Sequence, residues 1–287
     1  MNKKDFLGIS TDCTADITAE MLEKYNVDVI YFYITTESGR FRDMDEITSR
    51  NIIDYTESGK RKMISAPPSV YEYESFFEHQ LNKYEKLIHI CIGSKISHAH
   101  ENAVIAAEKY ADRVTVIDSA QVSTGIAHVV LRACRLRDEK KSVDSITAEL
   151  EGMKHKVSSS FCSDTAEYLY YNGRVPEAAA KLCRSFSLHP ILGVKKGFLK
   201  LIGIGAGNYE SVMKRYIKRQ LKHKDEIDTE LLFITSVGCS VKTLNMVKKE
   251  VEKHLHFREI IMTEASATVS GNCGPGTVGV LYVRKSK

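Results

Sequence analysis

Residues 93–103 read GSKISHAHENA, directly after the apolar run LIHICI and at the head of a helical pattern. Ser94 and Ser97 sit at that turn, with His98 and His100 just behind them. A helix N-terminus carries unpaired N–H groups and a partial positive charge, so it attracts anions. Flanking hydroxyls add neutral donors. The chemistry on offer is the holding of something small and negative. Capping of the helix accounts for Ser97 equally well, and an ordinary turn accounts for Ser94. Asp12 and Asp118 end apolar runs at what should be the carboxyl edge of a parallel sheet, where open α/β sheets bind ligands. They also suit plain caps of the helices that follow.

Other chemistries fit less well. His98-Ala99-His100 and His254-Leu255-His256 suggest metal ligands, but alternate residues on a helix do not share a face. No carboxylate or cysteine stands at ligand spacing, so no metal is expected. There is no G-x-S-x-G elbow and no G-x-x-x-x-G-K-[ST] loop, and GIGAG at 203–207 has the wrong spacing for a dinucleotide fingerprint. Cys13 follows Asp12 near a helix start, without an identifiable base. An enzyme reading survives as a hydrolase or phosphotransferase of a small substrate, using Asp12 and His100 as an acid–base pair.

The elements that must position these residues alternate. DFLGISTD (5–12), DVIYFYIT (28–35), LIHICI and RVTVIDS read as strands, separated by helical patterns. ISAPPS (64–69) reads as a loop, and Ser69 with Glu72 makes a capping box for the next helix. Alternation of this kind predicts a parallel sheet. The pattern changes near residue 156. Beyond it, HPILGV and FLKLIGI flank Lys195-Lys196-Gly197 as a hairpin, and three further strands follow with two helices between them. The expected organisation is two α/β domains, 1–156 with a mostly parallel sheet and flanking helices and 157–287 with a mixed sheet, and a ligand cleft between them.

Composition sets the class. The 287 residues are 43% hydrophobic and 27% charged, which suits two packed globular units. The net charge of +4 is too small to argue for nucleic acid. There is no 18-residue apolar run for a membrane span and no signal-peptide core. Seven scattered cysteines without a C-x-x-C predict a reducing, cytoplasmic setting. In the helix over 208–224, Lys214, Lys218 and Lys222 lie four apart beside Arg215 and Arg219. That face reads as solvated, or as a docking surface for an acidic partner or, transiently, an anionic membrane.

Several stretches together resemble the DegV family of bacterial lipid-binding proteins. TDCTADI (11–17), with Asp12 and Thr14, is similar to its opening signature, and FRDMDEIT keeps Asp43. SAPPS with Ser65, GSKISHAHENA, VIDS with Ser123 and Gly125 after it, DTAEYLYYNGRV, HPIL and CGPGTVG follow in the family's order to the C-terminus. The resemblance implies two α/β domains with a long-chain fatty acid between them and no catalysis, cofactor or metal. It places the carboxylate at Ser65, Ser94, Ser97 and Asn272, near Asp12, Thr14 and Asp118, with the closing turn at Gly276 over the head and the acyl tail in the C-terminal domain. Neutral donors hold the head weakly, so the tail must supply most of the affinity. In some members a separate ATP-dependent fatty-acid kinase receives the carboxylate.

This chain departs from that pattern. The family's Ser-Gly-Thr is Ser97-His98-Ala99, its first turn serine is Gly93, its histidine before the closing turn aligns with Asn272, and its arginine after the hairpin falls near Ala206. Asn272 donates a hydrogen bond but does not titrate. His98 or His100 stands as a replacement head-group contact. A lipid-sensing regulator that docks through the 214–222 face is a third reading.

Overall fold

The computed structural model describes residues 5–59, 63–173 and 175–285. The first half of the chain runs β1 (Asp5–Asp12), α1 (Ala19–Tyr25), β2 (Val27–Ile30), β3 (Tyr33–Thr36), β4 (Gly39–Arg42), α2 (Ser49–Glu57), β5 (Ile64–Ala66), α3 (Val70–Lys83), β6 (Tyr84–Cys91), α4 (Ala99–Ala107), β7 (Val114–Asp118), α5 (Thr124–Asp138) and α6 (Val143–Met153). The second half runs β8 (Val157–Cys162), α7 (Glu167–Tyr171), α8 (Glu177–Ser185), β9 (Leu188–Lys195), β10 (Phe198–Ala206), α9 (Tyr209–Gln220), β11 (Ile227–Ser236), α10 (Val241–His254), β12 (Glu259–Glu264), α11 (Ala267–Cys273) and β13 (Val278–Arg284).

Two α/β units result. In the first, β2-β1-β6-β7 form a wholly parallel sheet. Alternate residues of β6 face opposite ways: Leu87 packs with Tyr73 and Phe77 of α3, while Ile88 and Ile90 pack with Ile126 and Val130 of α5. A parallel sheet covered on both faces needs this doubly apolar strand. Its register sets Cys91 beside Asp118, so the carboxyl ends of β1, β6 and β7 converge. In the second unit, β10-β9-β8-β13-β11-β12 form a mixed sheet in which only β11 and β12 pair in parallel. One face packs on α9 and α10 through Met213, Tyr216, Val247 and Val251. On the other, Phe161, Leu192, Phe233 and Leu281 share a continuous core with α5 and the parallel sheet.

Helix α5 is therefore the shared wall between the units. Ile126, Val129, Val130 and Ala133 are fully buried, as a helix between two sheets requires. Gly125 allows the close approach, because a side chain there would run into Ser159 of β8. Among the described residues no helix is long and apolar enough to cross a membrane.

Three local expectations are revised. The single strand at 28–35 is two strands in different sheets: β2 pairs with β1, and β3 joins β4 and β5 in a small antiparallel sheet. The chain switches at Phe32, whose N–H donates to Cys13 Sγ and whose carbonyl accepts from Asp43 N–H. The 64–69 loop is a strand over Ile64–Ala66, so only its proline end is irregular. The helix after the serine turn starts at Ala99, with His98 rather than Ser97 in the cap position and no side-chain cap bond. Two helices, α6 and α11, lie where the sequence reading placed none.

Candidate functional site

Four segments meet at the carboxyl edge of the parallel sheet: the Asp12 strand end, the 93–97 turn, the proline loop after β5, and α11 from the other end of the chain. Their anchors are side chains. Asn102 of α4 donates to the Pro68 carbonyl at 2.7 Å, which ties the proline loop to α4. Lys95, between the two serines, reaches the Lys196 carbonyl in the β9–β10 hairpin at 3.2 Å and lies over the Phe198 ring. Both residues at that hairpin's tip, Lys196 and Gly197, have left-handed backbone, as a two-residue hairpin demands.

Asn272, on the last turn of α11, donates to the Thr268 carbonyl at 2.8 Å and approaches the Ser65 hydroxyl of β5 at 3.5 Å. These residues stand 207 positions apart in sequence, and both are half-buried. Ser97 accepts from the Ala99 N–H at 3.2 Å and keeps its own hydroxyl proton. Ser94 is differently engaged. Its N–H and hydroxyl both donate to Asp118, at 3.0 and 2.6 Å, and Asp118 also accepts from Ala120 N–H. Half-burial raises the Asp118 pKa, but the bonds from Ser94 and Ala120 outweigh it, and the net displacement is downward. Ser94 thus orients the turn and has no proton left for a ligand, in place of the free donor expected from sequence. Gly276 is similarly spent: its N–H donates to Val237, and its carbonyl accepts from Tyr209. The two histidines diverge. His98 is exposed and pairs with Glu101 at 3.0 Å, whereas half-buried His100 acts electrostatically on Asp118 and His89.

Asp12 is wholly buried. Its oxygens accept from Thr14 N–H, from the Thr14 hydroxyl, and from Ile92 N–H at 2.8 Å. Burial pushes its pKa up to about 6 against those bonds. Asp16 and Asp43, buried beside it, bridge the two ends of the chain. Asp16 accepts from the Ser123 hydroxyl and from Ser266 N–H, and burial pushes it up to about 7. Asp43 accepts from Ala267 and Thr268 N–H, both at 2.8 Å, and so caps the N-terminus of α11. Burial raises its pKa too. Cys13 donates to Asp43, and burial lifts its thiol well above the ordinary range, which removes it as a nucleophile at neutral pH. The sequence points to Asp12, Asp43 and Asn272 but not to Asp16 or to the helix that carries Asn272. The Ser266 N-cap pattern was the one local signal for that helix.

Among the described residues no group of three or more His, Cys, Asp or Glu is placed to hold a metal ion. Five clefts of about 320 to 450 Å³ open in the surface, and none of these five is lined by Ser65, Ser97 or Asn272. Arg215 of α9 donates to the Ala206 carbonyl at 2.8 Å, next to the position where the resemblance leads one to expect an arginine.

The DegV family model matches residues 7–285. The chain belongs to the DegV family. A DegV domain-containing protein of Deinococcus radiodurans is 27% identical over 96% of this chain and 97% of its own length. A second, of Caldanaerobacter subterraneus, is 24% identical over 97% and 99%. A Thermus thermophilus DegV family structure, described for its fatty-acid binding, superposes with a TM-score of 0.87 at 25% identity over 98% of this chain and all of its own. A stearic-acid-binding protein of Eubacterium ventriosum gives 0.84 at 21% identity over 98% and 99%. The DegV architecture of two α/β units thus accounts for the whole described chain.

Proposed function

We propose that this chain binds one long-chain fatty acid and does not transform it. The observation that carries the reading is the approach of Asn272 to Ser65 at the junction of the two units, on the strand whose proline loop Asn102 ties to the helix that follows the Ser97 turn. Ser65 and Ser97 offer a carboxylate their hydroxyl protons and Asn272 the amide N–H that makes only the long 3.5 Å approach to Ser65, while Ser94 serves it indirectly by holding the turn on Asp118. Ile96, from the same turn, is a half-buried member of the apolar cluster that joins the units, with Val175, Val194 and Leu199. The tail enters that cluster. Each buried CH₂ contributes about 0.8 kcal/mol, so ten give about 8 kcal/mol before association costs. The Thermus relative, whose description reports fatty-acid binding, supports the assignment at the level of the whole fold.

The way the acids are used supports a binding role over a catalytic one. An Asp12–His100 pair needs a reachable carboxylate, and Asp12 is inaccessible with its oxygens bonded to Thr14 and Ile92. Action in the cytoplasm, with the bound carboxylate passed to a separate fatty-acid kinase, completes the reading. It rests on the family pattern, and the Ser97-His98-Ala99 turn and Asn272 mark where the contact to such a kinase differs.

The test compares oleic acid with oleyl alcohol by titration calorimetry. Ser65→Ala with Asn272→Ala should weaken the acid by about 1–2 kcal/mol, a factor of five to thirty, and change the alcohol little. Equal loss for both ligands removes the carboxylate assignment.

A further inference from the structure

The basic face of α9 ends at a cleft of about 370 Å³ on the second sheet, a volume that suits a small ligand. Ile202, Ile227 and Tyr282 give it an apolar floor, and Lys195, Arg219, His223, Arg284 and Glu226 line its rim. Three permanent cations against one carboxylate leave a net charge of plus two. Glu226 approaches Arg284 at only 3.9 Å, and among the described residues Lys195 and Arg219 pair with no carboxylate.

Two other members of the stripe are occupied elsewhere. Lys214 pairs with Glu210 at 2.6 Å, and Arg215 bonds Ala206. Arg219 alone turns toward the β10 bulge between Leu201 and Gly203. A side chain at Gly203 would stand 3.1 Å from Arg219 Nη1, so the glycine gives the guanidinium its place against the strand.

We propose that this cleft binds the phosphate group of a small phosphate ester or a phospholipid headgroup. The arginine fork matches phosphate oxygens in pairs, Lys195 adds a point charge, and the net positive charge balances a phosphate dianion. The apolar floor receives the carbon portion of the ester. The cleft shares no residue with Ser65, Ser97 or Asn272, so the proposal stands whether or not the fatty-acid reading does.

Full-length protein in low-salt, phosphate-free buffer is titrated with glycerol 3-phosphate and with pyrophosphate, and sedimented with phosphatidylglycerol or phosphatidylcholine vesicles. At least one phosphate probe should bind saturably. Arg219→Gln with Lys195→Gln should weaken it about tenfold or more, while Lys214→Gln with Lys249→Gln, an equal charge change outside the cleft, should leave it within about twofold. Binding of the soluble probes marks a small ester; sedimentation with phosphatidylglycerol alone marks a headgroup. Glu226→Gln should tighten binding severalfold, and this variant decides the matter if the double variant does not fold. No binding by any probe, equal loss in both double variants, or no gain from Glu226→Gln overturns the proposal.

Discussion

Asp16 carries an unusual load for a single carboxylate. It occupies the left-handed backbone region at φ 52, is buried, and receives Ser123 and Ser266 from two other parts of the chain. Its folded pKa of about 7 lies above the unfolded value near 3.9, so the native state binds the extra proton between those limits. Ionising Asp16 therefore costs stability at high pH, and that cost shrinks steadily as pH falls from about 7 towards the unfolded value near 4. Asp12 acts in the same direction near 6. Burial holds His89 down to about 3 and His128 to about 4, so below about 6.5 these oppose the gain, because the unfolded chain takes up their protons first. The comparison that isolates Asp16 is with Asp16→Asn, which keeps the shape and tolerates the backbone. Wild type should gain on the variant by about 1–3 kcal/mol in urea unfolding as pH drops from 8 to 5. Parallel pH profiles would contradict this assignment. None of it was legible locally. Asp12 and Asp118 could be read as strand-end acids, whereas Asp16 meets Ser266 across 250 residues.

At the scale of elements, the sequence disclosed what its periodicity controls. The β6, β7, β11 and β13 runs are apolar on both faces and appear as strands, and the capping box at Ser69 starts α3 as its spacing predicts. Where tertiary partners decide, the pattern misled. DVIYFYIT has uniform strand propensity, yet Phe32 is pinned by Cys13 and Asp43, and the run divides between two sheets. The seven-residue α11 has little amphipathic signature, and its N-terminus is completed by Asp43, which lies 224 residues from Ala267. Removing that cap should therefore be felt at Asn272. Asp43→Ala leaves two buried N–H groups unpaired and is expected to cost about 1–3 kcal/mol in chemical unfolding. It should also weaken oleic acid severalfold in calorimetry. Unchanged stability, or lost stability with full affinity, would show that α11 is held in place by other contacts.

For the whole molecule, the central feature is a single apolar core spanning two sheets, with α5 between them. The two-unit architecture was readable from the change of pattern near 156, because alternating strands and helices give way there to a hairpin and a mixed sheet. The ligand cleft expected between the units was not readable in the same way: none of the five clefts is lined by Ser65, Ser97 or Asn272, and the units meet through packed side chains of the shared core. A ligand that binds across both units should stabilise them together. Saturating oleic acid at 100 times its dissociation constant should add about 2.7 kcal/mol to unfolding in one cooperative transition. Separate melting of the two units would place the acid in one of them alone.

The most direct measurement is mass spectrometry of the lipid extracted from freshly purified protein, followed by titration of the delipidated chain with oleic acid. The account predicts one long-chain acid per chain in the extract and saturable one-to-one rebinding. A protein that arrives empty and takes up neither oleic nor palmitic acid would contradict it.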